Sequence, residues 1–392
     1  MLASAIVKSP LSSSQNRRIA FALVSLLLGL SLSIVVLEIC LRAINPESLD
    51  NPLRCLQGFY QLDAKNRIQT SPDWRGVQPV NGQKIEVRSN NLGMRGADVG
   101  PKQSASERRI LVIGDSFVWG MGVAEQQAIP AQLEQRLRAT SRNVLLGNAG
   151  MWGTSPREWG YTVDRFRQSF QPDAIVAVIY LGNDLSDLTL PPLYVLDGLP
   201  LTSEFAHVAR SSLRYNMALR FRVWMALEHN LLNRVLPIAV PPKPQLLPDG
   251  VSALEGVFFD LDEARASATP LLNDFTADLH RHFADLQRAA HGLPTLVVVL
   301  PSHEVALKPY DQVVRACLPQ LDPTWFHRGN GAVRVRDFCR EMGFACCDLD
   351  REFAQASDVA ALFLAEDWHY SNAGCAQVAD WLLPFVIQLL PQ

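Results

Sequence analysis

The sequence predicts an α/β fold of three layers, α/β/α, around a mostly parallel sheet, preceded by one transmembrane helix. Three observations predict it. Ile110–Ile113, Val144–Leu146, Ala174–Leu181 and Thr295–Leu300 are short apolar runs rich in β-branched residues. That is the pattern of strands covered on both faces, as in a parallel sheet. The first three run into a glycine-containing polar loop and then a helical stretch, the repeat of a parallel α/β sheet. Finally, Ile19–Ile39 is an apolar run of 21 residues whose only charge is Glu38, long enough to cross a bilayer as a helix.

Composition narrows the functions open to the chain. Its 392 residues are 48% hydrophobic, enough for a sizeable core. A net charge of −3 argues against a nucleic-acid partner, which shows as a basic patch. The seven cysteines form no Cys-x-x-Cys pair, and Cys346 and Cys347 are adjacent, a poor spacing for a tetrahedral site. No metal and no cofactor is expected. Cys317 and Cys339 could bridge in an oxidising compartment.

The elements follow in order. Residues 1–18 carry Lys8, Arg17 and Arg18 and read as a cytoplasmic tail. Residues 19–41 read as the anchor. Positive charge before the apolar run places the remainder on the extracytoplasmic side of a cytoplasmic membrane, as a single-pass protein. A cleaved signal peptide is the alternative. It has a shorter apolar core and a small-x-small site, which Val36–Cys40 does not offer, so an uncleaved anchor is expected. Residues 42–107 are rich in Pro, Gly, Asn and Gln and read as a juxtamembrane spacer with a small β element. Val77–Val87 is expected to be a hairpin turning on Asn81-Gly82, a favoured type I′ pair.

Residues 108–392 form the expected catalytic domain. Helices are expected over Ile129–Arg138 and from Pro156, a tolerated first-turn position for proline. A helical insertion at about 190–290 interrupts the repeat. It contains Leu213–Leu236 with Arg214, Arg220, Arg222 and Arg234, then a Pro-rich segment, Pro237–Pro248. Next comes a helix over Asp262–His291, with Leu271, Leu272, Phe275, Leu279, Phe283 and Leu286 at helical spacing. His280 and His282 lie two apart, cannot share a helix face and are expected to be solvated. The insertion is read either as a lid or as a surface excursion. After Thr295–Leu300, a helix over Val333–Met342 closes on Gly343, and Phe344–Leu349 is a short last strand. Ser371 caps a final helix, Asn372–Leu390, whose stripe Val378, Leu382, Phe385 and Leu389 faces the core.

The strand ends carry the chemistry. In open α/β sheets, ligands bind outside the C-terminal ends of the strands. Gly114-Asp115-Ser116 puts one hydroxyl there. Nucleophilic catalysis at a serine needs a base within reach, a group that orients the base, and donors for the oxyanion. Ser116 is the candidate nucleophile and His369 the candidate base, with Asp367 or Glu366 to hold its ring. The backbone N–H groups of Ser116 and Gly153 and the side-chain amide of Asn183 are the candidate oxyanion donors. His303 follows a strand end and reads as a polar loop residue.

Four stretches in this order resemble the blocks of the SGNH, or GDSL, hydrolase superfamily: Gly114-Asp-Ser116, Asn148-Ala-Gly-Met-Trp-Gly153, Gly182-Asn183-Asp184, and Asp367-Trp-His369 with Asn372. The resemblance spans Arg108–Gln392 discontinuously, leaving about 190–290 unmatched. The oxyanion glycine of the second block matches Gly153 better than Gly150. Asn90–Arg95 is similar to a lead-in found in membrane-anchored bacterial members. In one respect the chain departs from the pattern: many members have Asp-x-x-His, whereas Asp367 stands two before His369.

The resemblance implies a flavodoxin-like fold, an ester substrate and an acyl-serine intermediate. Together with the apolar anchor it implies a membrane-anchored serine esterase or acyl-transfer enzyme using Ser116 and His369, with Asp367 expected as the third triad member on local geometry. An O-acetylated envelope glycan or exopolysaccharide fits the anchor, with lipase or thioesterase activity as an alternative. The rival from another class is a non-catalytic glycan-binding or assembly protein that kept the fold. Spacing separates the two carboxylates before His369. Side chains two apart share a side in an extended segment, and side chains three apart in a helical turn. Because Ser371 caps the helix, the preceding residues are expected to be non-helical, which favours Asp367 over Glu366.

Overall fold

The computed structural model describes residues 13–44, 57–80, 83–189, 194–196, 199–201, 213–235, 257, 259–267, 270–318, 321–365 and 367–390. The chain divides into two compact units, one of residues 1–54 with 207–240, the other of 55–206 with 241–392.

The first unit is built on α1 (Ser13–Ile44), whose large apolar side chains from Ile19 to Ile39 are exposed. At 1.5 Å per residue, Ile19–Ile39 is about 31 Å long, the thickness of a bilayer's hydrocarbon core. The end of α1 is held by short helices far along the chain, Leu213–Arg220 and Arg222–Leu227. Glu38 accepts the backbone N–H groups of Arg222 (3.1 Å) and Val223 (2.9 Å), and Arg42 donates to the Arg220 carbonyl at 2.9 Å. The single helix expected over Leu213–Leu236 is broken at Phe221, whose extended backbone (φ −123°, ψ 125°) starts the second piece. These helices form one unit with α1.

The second unit opens with two antiparallel pairs: β1 (Tyr60–Leu62) with β2 (Ile68–Thr70), and β3 (Arg75–Val80) with β4 (Gln83–Arg88). The last pair is the expected hairpin; its turn residues Asn81 and Gly82 lie outside the described residues. The region does not stand apart as a spacer. Phe59, Tyr60, Trp74, Met94 and Arg95 are buried in the same unit as the main sheet. Burial of these side chains outweighs the loop-like composition around them.

The main sheet comprises β5 (Arg108–Gly114), β6 (Val144–Gly150), β7 (Ala174–Tyr180), β10 (Thr295–Leu300) and β11 (Ala345–Asp348), with a small hairpin of β8 (Tyr194–Leu196) and β9 (Leu199–Leu201) between β7 and β10. The order is β11-β10-β7-β5-β6, and every neighbouring pair is parallel. Alternate side chains of each strand feed two cores. Leu111, Ile113, Ile175, Ile179, Val297 and Val299 face one, and Ile110, Val112, Val176, Val178, Leu296 and Val298 the other. Strand alternation in which both faces are apolar requires helices on both sides. α4 (Trp159–Phe170), α6 (Pro270–Ala290) and α7 (Asn330–Met342) cover the first face; α3 (Ile129–Ala139) and α8 (Asn372–Leu389) cover the second. Helix α2 (Ser116–Trp119) and α5 (Asp184–Thr189) start at the ends of β5 and β7.

Several expectations change here. Helix α6, assigned to the insertion, is the crossover layer between β7 and β10, with Leu272, Leu279, Phe283 and Leu286 fully buried. It starts at Pro270, and a separate short helix, Glu263–Ser267, precedes it. Proline cannot continue a helix from the preceding turn. On α6, His280 is exposed and bonds Glu341, but His282 is buried, on the face that packs inward. Cys317 and Cys339 are not joined by a disulfide. Cys339 instead shares a hydrogen bond with Cys346.

Candidate active site

Ser116, Gly153 and Asn183 stand just after the ends of three strands. Gly114 closes β5, and Asp115 turns the chain into α2. The Asp115 carboxylate caps that helix by accepting the Phe117 N–H at 2.9 Å. Ser116 is thus the first helical residue, half-buried, with an N–H that has no acceptor within the helix. Gly114 aligns with Gly150 on β6, so the loop after β6 rises beside Ser116. Gly153 lies in that loop at φ +65°, exposed, and among the described residues its N–H donates to no protein acceptor. Asn183 follows β7, the other neighbour of β5. Its Nδ2 donates to Asp187 Oδ2 at 2.7 Å, which sets the orientation of the amide. The three candidate oxyanion donors therefore come from three adjacent strands at one edge of the sheet.

His369 reaches this edge from the other end of the chain. Its Nε2 is 2.7 Å from Ser116 Oγ, although 253 residues separate the two. Its Nδ1 is 2.5 Å from Asp367 Oδ1. The same Oδ1 accepts the His369 backbone N–H at 2.9 Å, so Asp367 closes a bend around the residue it orients. The segment is non-helical, as Ser371 capping requires, but bent rather than extended. An aspartate bonding the N–H two residues on is a local turn that a longer glutamate makes poorly. Glu366 lies outside the described residues. The histidine ring is 5% exposed and packs against Phe117 at 4.9 Å and Trp368 at 5.4 Å between centroids. Burial raises the Asp367 carboxyl, but the hydrogen bonds and charge of His369 outweigh this and hold it below the usual carboxylate range.

Two further carboxylates lie beneath the serine. Asp115 and Asp184 are each 1% exposed, and Asp184 accepts the Tyr180 N–H at 2.8 Å. Burial pushes Asp115 up to about 7. Burial, reinforced by the charge of Asp115, raises Asp184 well above the ordinary range. The pair thus retains a proton far above the usual carboxylate range. Both residues stand in motif blocks, yet no feature of the sequence marks their burial. His303 sits at the start of a short helix after β10. Its N–H donates to the Tyr180 hydroxyl at 2.9 Å, and its ring packs on Phe363. Among the described residues, no group of three His, Cys, Asp or Glu side chains could hold a metal ion. A concavity of about 820 Å³ between the β3–β4 hairpin and residues 124–126 contains none of the site residues.

The arrangement can move a proton. A neutral imidazole with its Nδ1–H on Asp367 presents the Nε2 lone pair to the serine hydroxyl. Removal of that proton leaves an imidazolium whose charge the carboxylate balances.

No family model matches the chain, and no curated protein does. Solved structures of low similarity are found. TesA is 12% identical over 72% of this chain and 100% of its own, with a TM-score of 0.38. A family 3 carbohydrate esterase of Clostridium thermocellum is 10% identical, covering 72% and 96%, with a TM-score of 0.37. AlinE4, an SGNH-hydrolase family esterase, is 14% identical, covering 74% and 100%, with a TM-score of 0.32. Likeness at that level assigns no activity to this chain.

Proposed function

We propose that this chain is a membrane-anchored serine esterase of the SGNH type, with hydrolysis and acyl transfer as its two outcomes. The observation that carries the reading is the continuous hydrogen-bonded line Asp367–His369–Ser116 at the C-terminal edge of a parallel sheet. In this mechanism His369 Nε2 takes the Ser116 proton as Oγ attacks the ester carbonyl carbon. The carbonyl π pair moves onto oxygen, which the N–H groups of Ser116 and Gly153 and the Asn183 amide receive. When the tetrahedral adduct collapses, the ester C–O bond breaks and His369 returns the proton to the departing alkoxide, leaving an acyl-serine. His369 then takes a proton from water or an alcohol as its oxygen attacks the acyl carbon; the bond from that carbon to Ser116 Oγ breaks and His369 returns the proton to Oγ, releasing the acid or a new ester.

The alcohol departs on the His369 side, since that residue protonates it. Trp368 lies on this side, 43% exposed. An exposed indole suits the apolar face of a sugar ring, which supports an O-acetylated glycan as substrate. The end of α1 supports a retained anchor over a cleaved signal. Glu38 accepts the N–H groups of Arg222 and Val223, contacts that cleavage after it would remove.

Fluorophosphonate labelling and p-nitrophenyl acetate hydrolysis test the enzyme reading. The wild type is expected to label, and Ser116→Ala to lose labelling and hydrolysis while staying folded. Absence of labelling in the folded wild type would favour the non-catalytic rival. Trp368→Ala is expected to raise KM for an O-acetylated polysaccharide severalfold more than KM for p-nitrophenyl acetate.

A further inference from the structure

Three residues of the segment before the sheet act on the backbone of the two loops that carry the site. Arg95, 4% exposed, donates to the carbonyls of Trp119 (2.6 Å), Gly120 (2.5 Å) and Val123 (2.6 Å). Trp119 and Gly120 are the end of the helical turn that begins with Ser116, where carbonyls lack partners within the helix. A cation there also opposes the negative end of the backbone dipoles. The Arg95 backbone N–H donates to the Asn148 carbonyl at 2.9 Å, and Asn148 Nδ2 donates to the Val118 carbonyl at 2.9 Å. The turn is thus tied to β6 from two directions. Gln78 accepts the Gly122 N–H at 3.2 Å. Tyr60, 2% exposed, donates its hydroxyl proton to the carbonyl of Trp152 at 2.8 Å. That carbonyl and the Gly153 N–H belong to one peptide plane, so its hydrogen bond also aims the N–H.

We infer that Arg95 and Tyr60 are positioning residues of the active site, Arg95 fixing the Ser116 turn and Tyr60 the Gly153 peptide. The site is incomplete without residues 57–95. The inference rests on the esterase reading, because positioning has meaning only if Ser116 attacks. The physical reason is geometric. Loop backbone groups have no side chain to lock them, and a misplacement of about 1 Å can cost on the order of a hundredfold in rate.

The full-length chain in detergent tests it through Tyr60→Phe, Arg95→Lys and Arg95→Ala. Tyr60→Phe keeps the ring and loses one donor. Its kcat for p-nitrophenyl acetate is expected to fall about tenfold, the low end for losing control of one oxyanion donor, with KM unchanged and a Tm lowered by only the few degrees that one unpaired buried carbonyl costs. Arg95→Lys replaces a planar fork by one ammonium and is expected to lower the fluorophosphonate labelling rate about ten- to a hundredfold. Guanidinium ion at millimolar concentration is expected to restore labelling of Arg95→Ala without raising its Tm, which a purely structural role would not show. A Tyr60→Phe enzyme with wild-type kcat, or Arg95 variants that label at the wild-type rate, would overturn the inference. If the Arg95 variants do not fold, Tyr60→Phe decides alone. A wild type that does not label sinks the esterase reading itself, a result distinct from any of these.

Discussion

Asp367→Asn isolates the charge behind His369. The substitution keeps the side chain's size, and its amide oxygen can still accept the His369 backbone N–H that closes the bend. It removes the negative charge 2.5 Å from Nδ1. In attack, that nitrogen's ring acquires a full positive charge. Taking the charge centres as about 4 Å apart in an effective dielectric of about 20, the lost attraction is about 4 kcal/mol. Asp367 is 23% exposed, so water screens part of this, and about 3 kcal/mol is a fair working figure. At 1.36 kcal/mol per decade that is about two orders of magnitude in kcat. If the asparagine NH₂ turns towards Nδ1, the imidazole is held with its proton on Nε2, facing Ser116. The loss would then approach four orders. The assay is kcat for p-nitrophenyl acetate alongside a thermal melt. Glu366→Gln serves as the control and is expected to cost less than about tenfold, as for a group outside the charge-stabilising set. A loss under tenfold in a folded Asp367→Asn enzyme, or a larger loss in Glu366→Gln, would refute the assignment.

Three further outcomes are expected. Gly150→Ala would drive a Cβ into the Trp119 backbone nitrogen and to 2.8 Å from the Val118 carbonyl carbon, inside the turn that carries Ser116. Activity is expected to fall more than about a hundredfold, with stability lost by about 1–3 kcal/mol in a denaturant titration. A near-normal rate would show that the turn tolerates displacement. Because Asp115 and Asp184 bind protons more tightly folded than unfolded, their contribution is fully present below the ordinary carboxylate pKa. It is lost as pH rises through the raised values, about 7 for Asp115. Asp184→Asn is therefore expected to raise Tm at pH 8 and to flatten its decline from pH 5; a melt with unchanged slope would contradict this. A fluorescent protein that matures only in the cytoplasm, fused after Gln392, is expected to stay dark, and bright membrane fluorescence would reverse the proposed orientation.

Much of this protein was legible in its sequence, because apolar periodicity and strand-end motifs are local. The runs around Ile110, Val144, Ala174 and Thr295 could be read as buried strands without knowing their neighbours, and all four lie in one parallel sheet. The preference for Asp367 assumed an extended segment, whereas residues 367–369 bend, closed by the His369 N–H on the Asp367 carboxylate. Tertiary structure alone decided what depends on partners remote in the chain. Helix α6 shows the same apolar stripe whether it covers an insertion or the sheet, and only packing on α4 makes it a core layer. Residues 57–95 have the composition of a spacer because most of their hydrogen bonds go to backbone atoms. Arg95 ends on three carbonyls and Tyr60 on one, and a carbonyl is present at every residue, so nothing in residue type marks those partners. The helices at 213–227 join α1 through Glu38, a pairing set by two backbone N–H groups rather than by a complementary charge. Sequence determines which segments must be buried and which atoms can react. Their meeting is decided by chain closure over long separations, and its acceptors are the groups every residue shares.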